Sequence, residues 1–203
     1  MSITDRKERD KKEMRQAILD AALNLFREKG YDAVSIRNIA EAIEYSPATI
    51  YLYFKDKNDI FFALQYEAAA VKRDHLLPVA MIENPWERLT EFGRRYIDFG
   101  MKHPGLYDLL FIIRAPMESV ENQDCWALGM SVHQFFEDTV QACIDARYFK
   151  STDTKTIAYT LWCHAHGLVS LFVRDRMRMY PPKEREELAR KSFAMLIKMA
   201  ETL

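Results

Sequence analysis

The segment Ser46-Pro47-Ala48-Thr49-Ile50-Tyr51-Leu52-Tyr53 opens with a capping hydroxyl and a proline and contains no long charged side chain. A Ser oxygen can accept from the unpaired N–H groups of a first helical turn, and Pro at the first helical position forfeits no hydrogen bond. If Ile50 and Phe54 turn inward, then Pro47, Ala48, Thr49, Leu52 and Tyr53 fall on the opposite side. That side is short-chained and apolar, which suits close approach to base edges. Ala48, the Thr49 methyl and Leu52 can meet thymine methyl groups, and the Thr49 hydroxyl can bond a base or phosphate. Ser46 starts this DNA-facing set, and Ser35, Arg37, Tyr51, Tyr53 and Lys57 around it suit phosphate oxygens, which set register without reading sequence. Lys57 also falls near a helix start, where backbone N–H groups favour an anion. The same spacing admits another reading, with Tyr51 and Tyr53 as half-buried core aromatics and Lys57 as a solvated charge.

These residues need short helices to hold them. Met14, Ile18, Ala21, Ala22, Leu25 and Phe26 follow helical spacing and Gly30 supplies a left-handed stop, which predicts a helix from about residue 8 to 29. Ser35 can cap a second helix in which Ile36, Ile39, Ala40 and Ile43 share a face. After a break at Glu44-Tyr45, the third helix runs from Pro47 to about Phe54. Ile36, Ile39, Ala40, Ile50 and Phe54 would form the small core between them. Asp56 begins a longer helix ending near Pro78. Asn84-Pro85-Trp86-Glu87 is a capped start for a helix that stops before His103-Pro104-Gly105, and further helices are expected over 105–114, 121–147, 153–176 and 182–202. No segment alternates with period two. The expected fold is all-α, with about nine helices in two domains: a three-helix helix-turn-helix domain over 1–56 and a larger helical domain over 57–203.

Two short amphipathic helices behind a longer supporting helix are the arrangement that presents a recognition helix to the major groove. The stretch Ser35-Ile36-Arg37-Asn38-Ile39-Ala40 followed by Ser46-Pro47-Ala48-Thr49-Ile50-Tyr51-Leu52-Tyr53-Phe54-Lys55-Asp56-Lys57-Asn58-Asp59-Ile60 resembles the DNA-binding signature of TetR-type regulators. The shared features are an Ile-Ala pair, a Ser-started recognition helix, a Tyr near its end and a Phe followed three residues later by Lys. The resemblance covers about residues 10–60. It implies DNA contacts at Thr49, Tyr51, Tyr53 and Lys57, and docking as one half of a dimer. One departure is Glu44-Tyr45, where members often carry Gly. A non-Gly residue must then hold a left-handed turn at some cost. Glu44 also brings negative charge near the DNA.

For the remaining helices the resemblance implies ligand binding and a homodimer formed through the last two helices. Trp162, His166 and Gly167 are similar to a Trp-x-x-x-His-Gly motif found in a subset of TetR-type C-terminal domains. Phe92, Tyr96, Phe99, Tyr107, Phe111, Trp126, Phe135, Trp162 and His166 are candidate linings for a pocket that takes a small organic ligand, though each is equally an ordinary core residue. His164 and His166 stand two apart, on nearly opposite helix faces, and cannot chelate one metal together. Neither a metal nor another cofactor is expected.

Bulk properties agree with this outline. With 49% hydrophobic and 29% charged residues and only six Gly and seven Pro in 203, the chain suits a helical globular protein. A net charge of −1 argues against indiscriminate polyanion binding. No apolar run approaches the roughly 20 residues needed to span a bilayer, and the first residues carry no signal-peptide stretch, so a cytoplasmic protein without membrane contact is expected. Cys125, Cys143 and Cys163 are odd in number and far apart, and buried reduced thiols are expected. No GxSxG, Walker, HExxH or Rossmann glycine pattern occurs, so no enzyme is expected. Two alternatives stay open: a helical ligand-binding enzyme with scattered catalytic groups, and an interaction module without specific DNA binding.

Overall fold

A computed structural model describes residues 3–114, 116, 123–150 and 152–200. Among the described residues there are nine α-helices, a short 3-10 turn and no strand. The helices are α1 (Ile3–Lys29), α2 (Ile36–Ala42), α3 (Pro47–Tyr51), α4 (Lys57–Leu76), α5 (Pro85–Lys102), α6 (Pro104–Phe111), α7 (Asp124–Asp145), α8 (Thr154–Val173) and α9 (Pro182–Ala200), with the 3-10 turn at Leu77–Met81. The all-α expectation holds. α1 starts earlier than its apolar spacing predicts, because its solvated first turns are supported by charge pairs such as Arg9–Glu13 at 3.6 Å. α3 stops at Tyr51, and Tyr53 and Phe54 continue as a turn bonded back to the Ile50 carbonyl. α4 passes into the 3-10 turn at Pro78, which has no N–H to continue the ladder. The expected helix start at 121 and end at 202 lie outside the described residues.

The chain divides into two compact units, Met1–Ala68 with Asp108–Trp126, and Ala69–Tyr107 with Ala127–Leu203. The first unit reaches past the expected boundary at 56/57. Phe61 of α4 closes an aromatic triangle with Phe26 and Tyr31, at centroid distances of 5.7 and 5.0 Å, and Ile60 and Leu64 are buried beside it. The Gln65 amide donates to the Leu109 carbonyl at 2.7 Å, tying residues after 107 to the same unit.

Helix ends in this chain use an uncommon device. After α2 the Tyr45 N–H reaches the Ala40 carbonyl at 2.9 Å and the Glu44 N–H the Glu41 carbonyl at 3.2 Å, the paired bonds of a Schellman cap. Glu44 occupies its left-handed position at φ 60°, and Arg147 and Asp175 do the same after α7 and α8 at φ 63° and 51°. Glycine takes that conformation without a Cβ penalty. Glu44→Gly is therefore expected to stabilise the first unit by about 1 kcal/mol, read as a higher urea midpoint at unchanged slope.

In the second unit α5 packs on α8 and α9. Gly93 and Gly100 make the close approach possible: a Cβ on Gly93 would lie 2.2 Å from Phe193 Cζ, and one on Gly100 2.1 Å from Val169 Cγ1. Asp98 of α5 accepts from Arg190 of α9 and Lys102, both at 2.6 Å. Burial acts to raise the Asp98 carboxyl, but the hydrogen bonds from Lys102 and Arg190 prevail and hold it at about 2. A carboxyl lowered on folding stabilises above its ordinary range, and that contribution fades as pH falls from about 4 through about 2. The thermal midpoint should therefore drop along that acid limb, and Asp98→Asn should flatten the drop.

Two expectations are corrected here. Cys125 and Cys143 are buried, but Cys163 is exposed, because it shares the outer face of α8 with Tyr159. α8 is also long and apolar enough to cross a membrane by length and composition, with 28% of its apolar window buried. Lys155, His164 and His166 break the apolar run along the sequence. On the helix Tyr159, Cys163, Gly167 and Leu171 nonetheless align at four-residue intervals.

Candidate functional site

α2 and α3 are each held by local chemistry that the sequence spells out. The Ser35 hydroxyl accepts from the Asn38 N–H at 3.2 Å while the Asn38 side chain accepts from the Ser35 N–H at 3.0 Å, a reciprocal cap. Ser46 Oγ accepts from the Thr49 N–H at 3.3 Å and shares a 3.1 Å hydrogen bond with Thr49 Oγ1. Ile39, Ala40 and Ile50 are fully buried and Phe54 nearly so, with Ile36 half-buried. The opposite face of the α2–α3 pair carries Ser35, Arg37, Ser46, Pro47, Ala48, Tyr51 and Leu52, all exposed, and Thr49 and Tyr53, half-buried. Leu52 is 78% exposed and Tyr51 57%, an arrangement that costs solvation unless something covers it. Tyr51 is thus no core aromatic.

Several candidate polar groups are already engaged. Arg37 Nε donates to Glu41 Oε1 at 3.0 Å on the exposed face of α2. Lys57 is neither solvated nor free of the fold: its Nζ donates to the Tyr31 carbonyl at 2.9 Å and sits 4.1 Å from the Tyr31 ring centroid. An ammonium has three donors, so a phosphate can still be bonded from the same position. Asp56 caps α4 by accepting from the Asp59 N–H at 2.9 Å, and Asp59 accepts from the Lys55 N–H at 2.9 Å. The Lys57–Tyr31 contact joins residues far apart in the chain, and no short-range spacing signals it.

The nine pocket candidates separate. Phe111, half-buried, and Trp126, exposed, belong to the first unit. Phe99 packs near His75 and His103. The other six join one group in the second unit. Phe92 stacks on Phe136 at 5.2 Å and lies 6.0 Å from Phe135; the chain of rings continues through His133 to Trp162 and His166. At its polar end Trp162 Nε1 donates to Tyr96 Oη at 3.2 Å, Tyr96 and Tyr107 hydroxyls are 3.3 Å apart, and Tyr107 Oη lies 2.6 Å from His166 Nδ1. Burial pushes both phenols up, Tyr96 to about 12 against the hydrogen bonds from Tyr107 and Trp162, and it lowers the His166 imidazole. The cluster is consequently neutral at physiological pH, a set of oriented dipoles rather than charges. His133 and Phe136 are members that the sequence reading missed; both sit on the α7 face that carries Val132 and Phe135, a helical spacing that could have included them.

A separate groove of about 380 Å³ is lined by His133, Glu137, Lys155, Thr156 and Tyr159. It includes none of the nine candidates. His133, shared with the ring cluster, stands 3.3 Å from Glu137 Oε1 in this groove.

Residues 18–64 match the model for bacterial regulatory proteins of the tetR family, and residues 89–196 that for the tetracyclin repressor-like, C-terminal domain. The chain is similar to the HTH-type transcriptional repressor Rv1474c of Mycobacterium tuberculosis, 40% identical over 70 residues, which cover 32% of this chain and 37% of that protein. It is also similar to the tetracycline repressor protein class D of Escherichia coli, 35% identical over 66 residues, covering 32% and 30%. The shared stretch thus spans well under half the length of these relatives. Among solved structures, the TetR family transcriptional regulator PfmR from Thermus thermophilus superposes with a TM-score of 0.70 at 19% identity, covering 89% of this chain and 97% of that one. The transcriptional regulator FadR from Bacillus subtilis, solved with stearoyl-CoA, gives 0.66 at 17% identity over 90% and 97%. At those identities the likeness is one of fold.

Proposed function

The chain belongs to the tetR family of bacterial regulatory proteins, and on that footing we propose that it is a cytoplasmic, sequence-specific DNA-binding transcriptional regulator, a repressor released from a palindromic operator by a small organic ligand. The observation that carries this reading is the exposed face of Pro47, Ala48, Thr49, Tyr51 and Leu52 standing on a buried Ile50–Phe54 floor. An apolar helix face held rigid, capped and uncovered is what a recognition helix must offer the major groove. Ser35, Arg37, Tyr53 and Lys57 flank it as phosphate contacts that set its register.

The acting species is a homodimer through α8 and α9. In support, Tyr159 and Leu171 of α8 and Met195 and Met199 of α9 are large apolar side chains left exposed, and two copies of such a face bury each other in an isologous contact. Ligand responsiveness rests on the Phe92, Phe135, Tyr96, Tyr107, Trp162 and His166 group, apolar at one end and hydrogen-bonding at the other, as organic-ligand sites are built. A ligand that binds better to a conformer with mismatched recognition helices shifts the dimer away from half-sites about 34–36 Å apart. Operator DNA must then weaken ligand binding by the same factor that ligand weakens DNA binding.

The test is selection of bound duplexes from a random pool. A palindromic motif with half-sites one helical turn apart is the expected result. Absence of enrichment from a folded dimer would sink the regulator reading and turn attention to the interaction-module alternative.

A further inference from the structure

Several polar side chains of the α2–α3 face are engaged within the protein. Ser46 and Thr49 hydroxyls bond each other and the α3 cap, the Ser35 hydroxyl closes the α2 cap, and Arg37 is paired with Glu41. Between Ser46 and Tyr53 there is no Arg, Lys, Asn or Gln, the side chains that read guanine and adenine by paired hydrogen bonds. Apart from the Tyr51 phenol, what stands outward on α3 is methyl and methylene surface. Ala48 and Leu52 stand four residues apart on one face, and Leu52 keeps the right-handed helical conformation at φ −73°, ψ −18°, so that spacing persists past the last helical residue. Thr49 shares its hydroxyl with Ser46, and its methyl is the apolar group it can offer a partner.

In the major groove only one base feature is apolar, the C5-methyl group of thymine. We propose that this face reads thymine methyl groups: each half-site carries thymines opposite Ala48, Thr49 and Leu52, and wrong bases are rejected by lost apolar contact rather than by broken paired hydrogen bonds. The proposal rests on the reading of α3 as a recognition helix, and it names the chemistry by which that helix selects its site.

The experiment replaces thymine by deoxyuridine, position by position, in the operator recovered by selection, and measures Kd by fluorescence anisotropy at fixed salt. Deoxyuridine keeps every base-pairing and groove hydrogen-bonding group and removes only the methyl. A contact worth one buried methyl should cost about fourfold per site, and about fifteenfold when both half-sites are changed together. In Leu52→Ala, whose side chain is 78% exposed and carries no packing role, the thymine-to-deoxyuridine ratio should fall to about one at a single position while the others persist. Equal binding of thymine and deoxyuridine at every position, or an operator whose invariant positions are G·C pairs, would overturn methyl readout and leave the regulator standing. A pool with no enriched sequence would overturn both.

Discussion

Gly100→Ala is expected to destabilise the second unit by about 3 kcal/mol, lowering the thermal midpoint by roughly 6–12 °C. The added Cβ would stand 2.1 Å from Val169 Cγ1 and 3.1 Å from Tyr107 Cδ2. Val169 is fully buried and β-branched, with one strongly preferred rotamer in a helix, so it cannot swing aside. Tyr107 is also fully buried, and its hydroxyl is bonded to His166. α5 and α8 must therefore part, and the crowding of Tyr107 strains its bond to His166, so ligand response should weaken as well. Gly93→Ala meets the tip of the Phe193 ring, which can slide, and should cost less. Gly167→Ala meets nothing within 4 Å and gains helix propensity, so the chain itself should be stabilised by up to about 1 kcal/mol. Calorimetry of the three variants checks the order. Equal midpoints for Gly100→Ala and Gly167→Ala would refute the close packing assigned to α5 and α8.

Lys57→Ala should lose both stability and DNA affinity. Removing the Nζ bond to the Tyr31 carbonyl and the contact over its ring takes away about 1–2 kcal/mol of stability in the first unit. If the same ammonium bonds a phosphate, affinity for all DNA sequences falls about tenfold and the slope of log K against log salt shrinks by about one. Tyr31→Leu isolates the effect on DNA, because it leaves the charge and the backbone carbonyl in place while destabilising the first unit. It should destabilise the first unit by more than Lys57→Ala, because it also opens the triangle with Phe26 and Phe61 and removes the hydroxyl bond to Asn58, while leaving the salt slope intact. A changed sequence preference in Lys57→Ala would contradict its assignment to the backbone.

Elements with local signals were readable in the chain. Ser35, Ser46 and Asn84 each cap the helix that their spacing predicts, and Gly30 ends α1 in the left-handed conformation at φ 80°. The turn at Glu44 was legible too: a non-Gly residue does hold the left-handed position there. Which distant residues meet was not legible in the chain. Phe111 and Trp126 share an aromatic, helical context with Tyr96 and Trp162, yet they belong to the other unit. Composition cannot distinguish them, because nothing local to an aromatic residue records which neighbours will cover it. Cys163 was misassigned for the same reason, since helical periodicity identifies an apolar face without stating whether the chain covers it.

By itself the sequence determined the helices, their caps and the apolar outer face of α3, because these follow from backbone hydrogen bonding and side-chain spacing over a few residues. Only the tertiary structure decided that Lys57 is bound to Tyr31, that α5 presses two glycines against Phe193 and Val169, and that Tyr96, Tyr107, Trp162 and His166 share one hydrogen-bonded cluster. Those contacts join residues well separated along the chain, by 26 positions for Lys57 and Tyr31 and by 70 for Tyr96 and His166. Their formation depends on shape complementarity between whole helices, a property that no local window of residues contains.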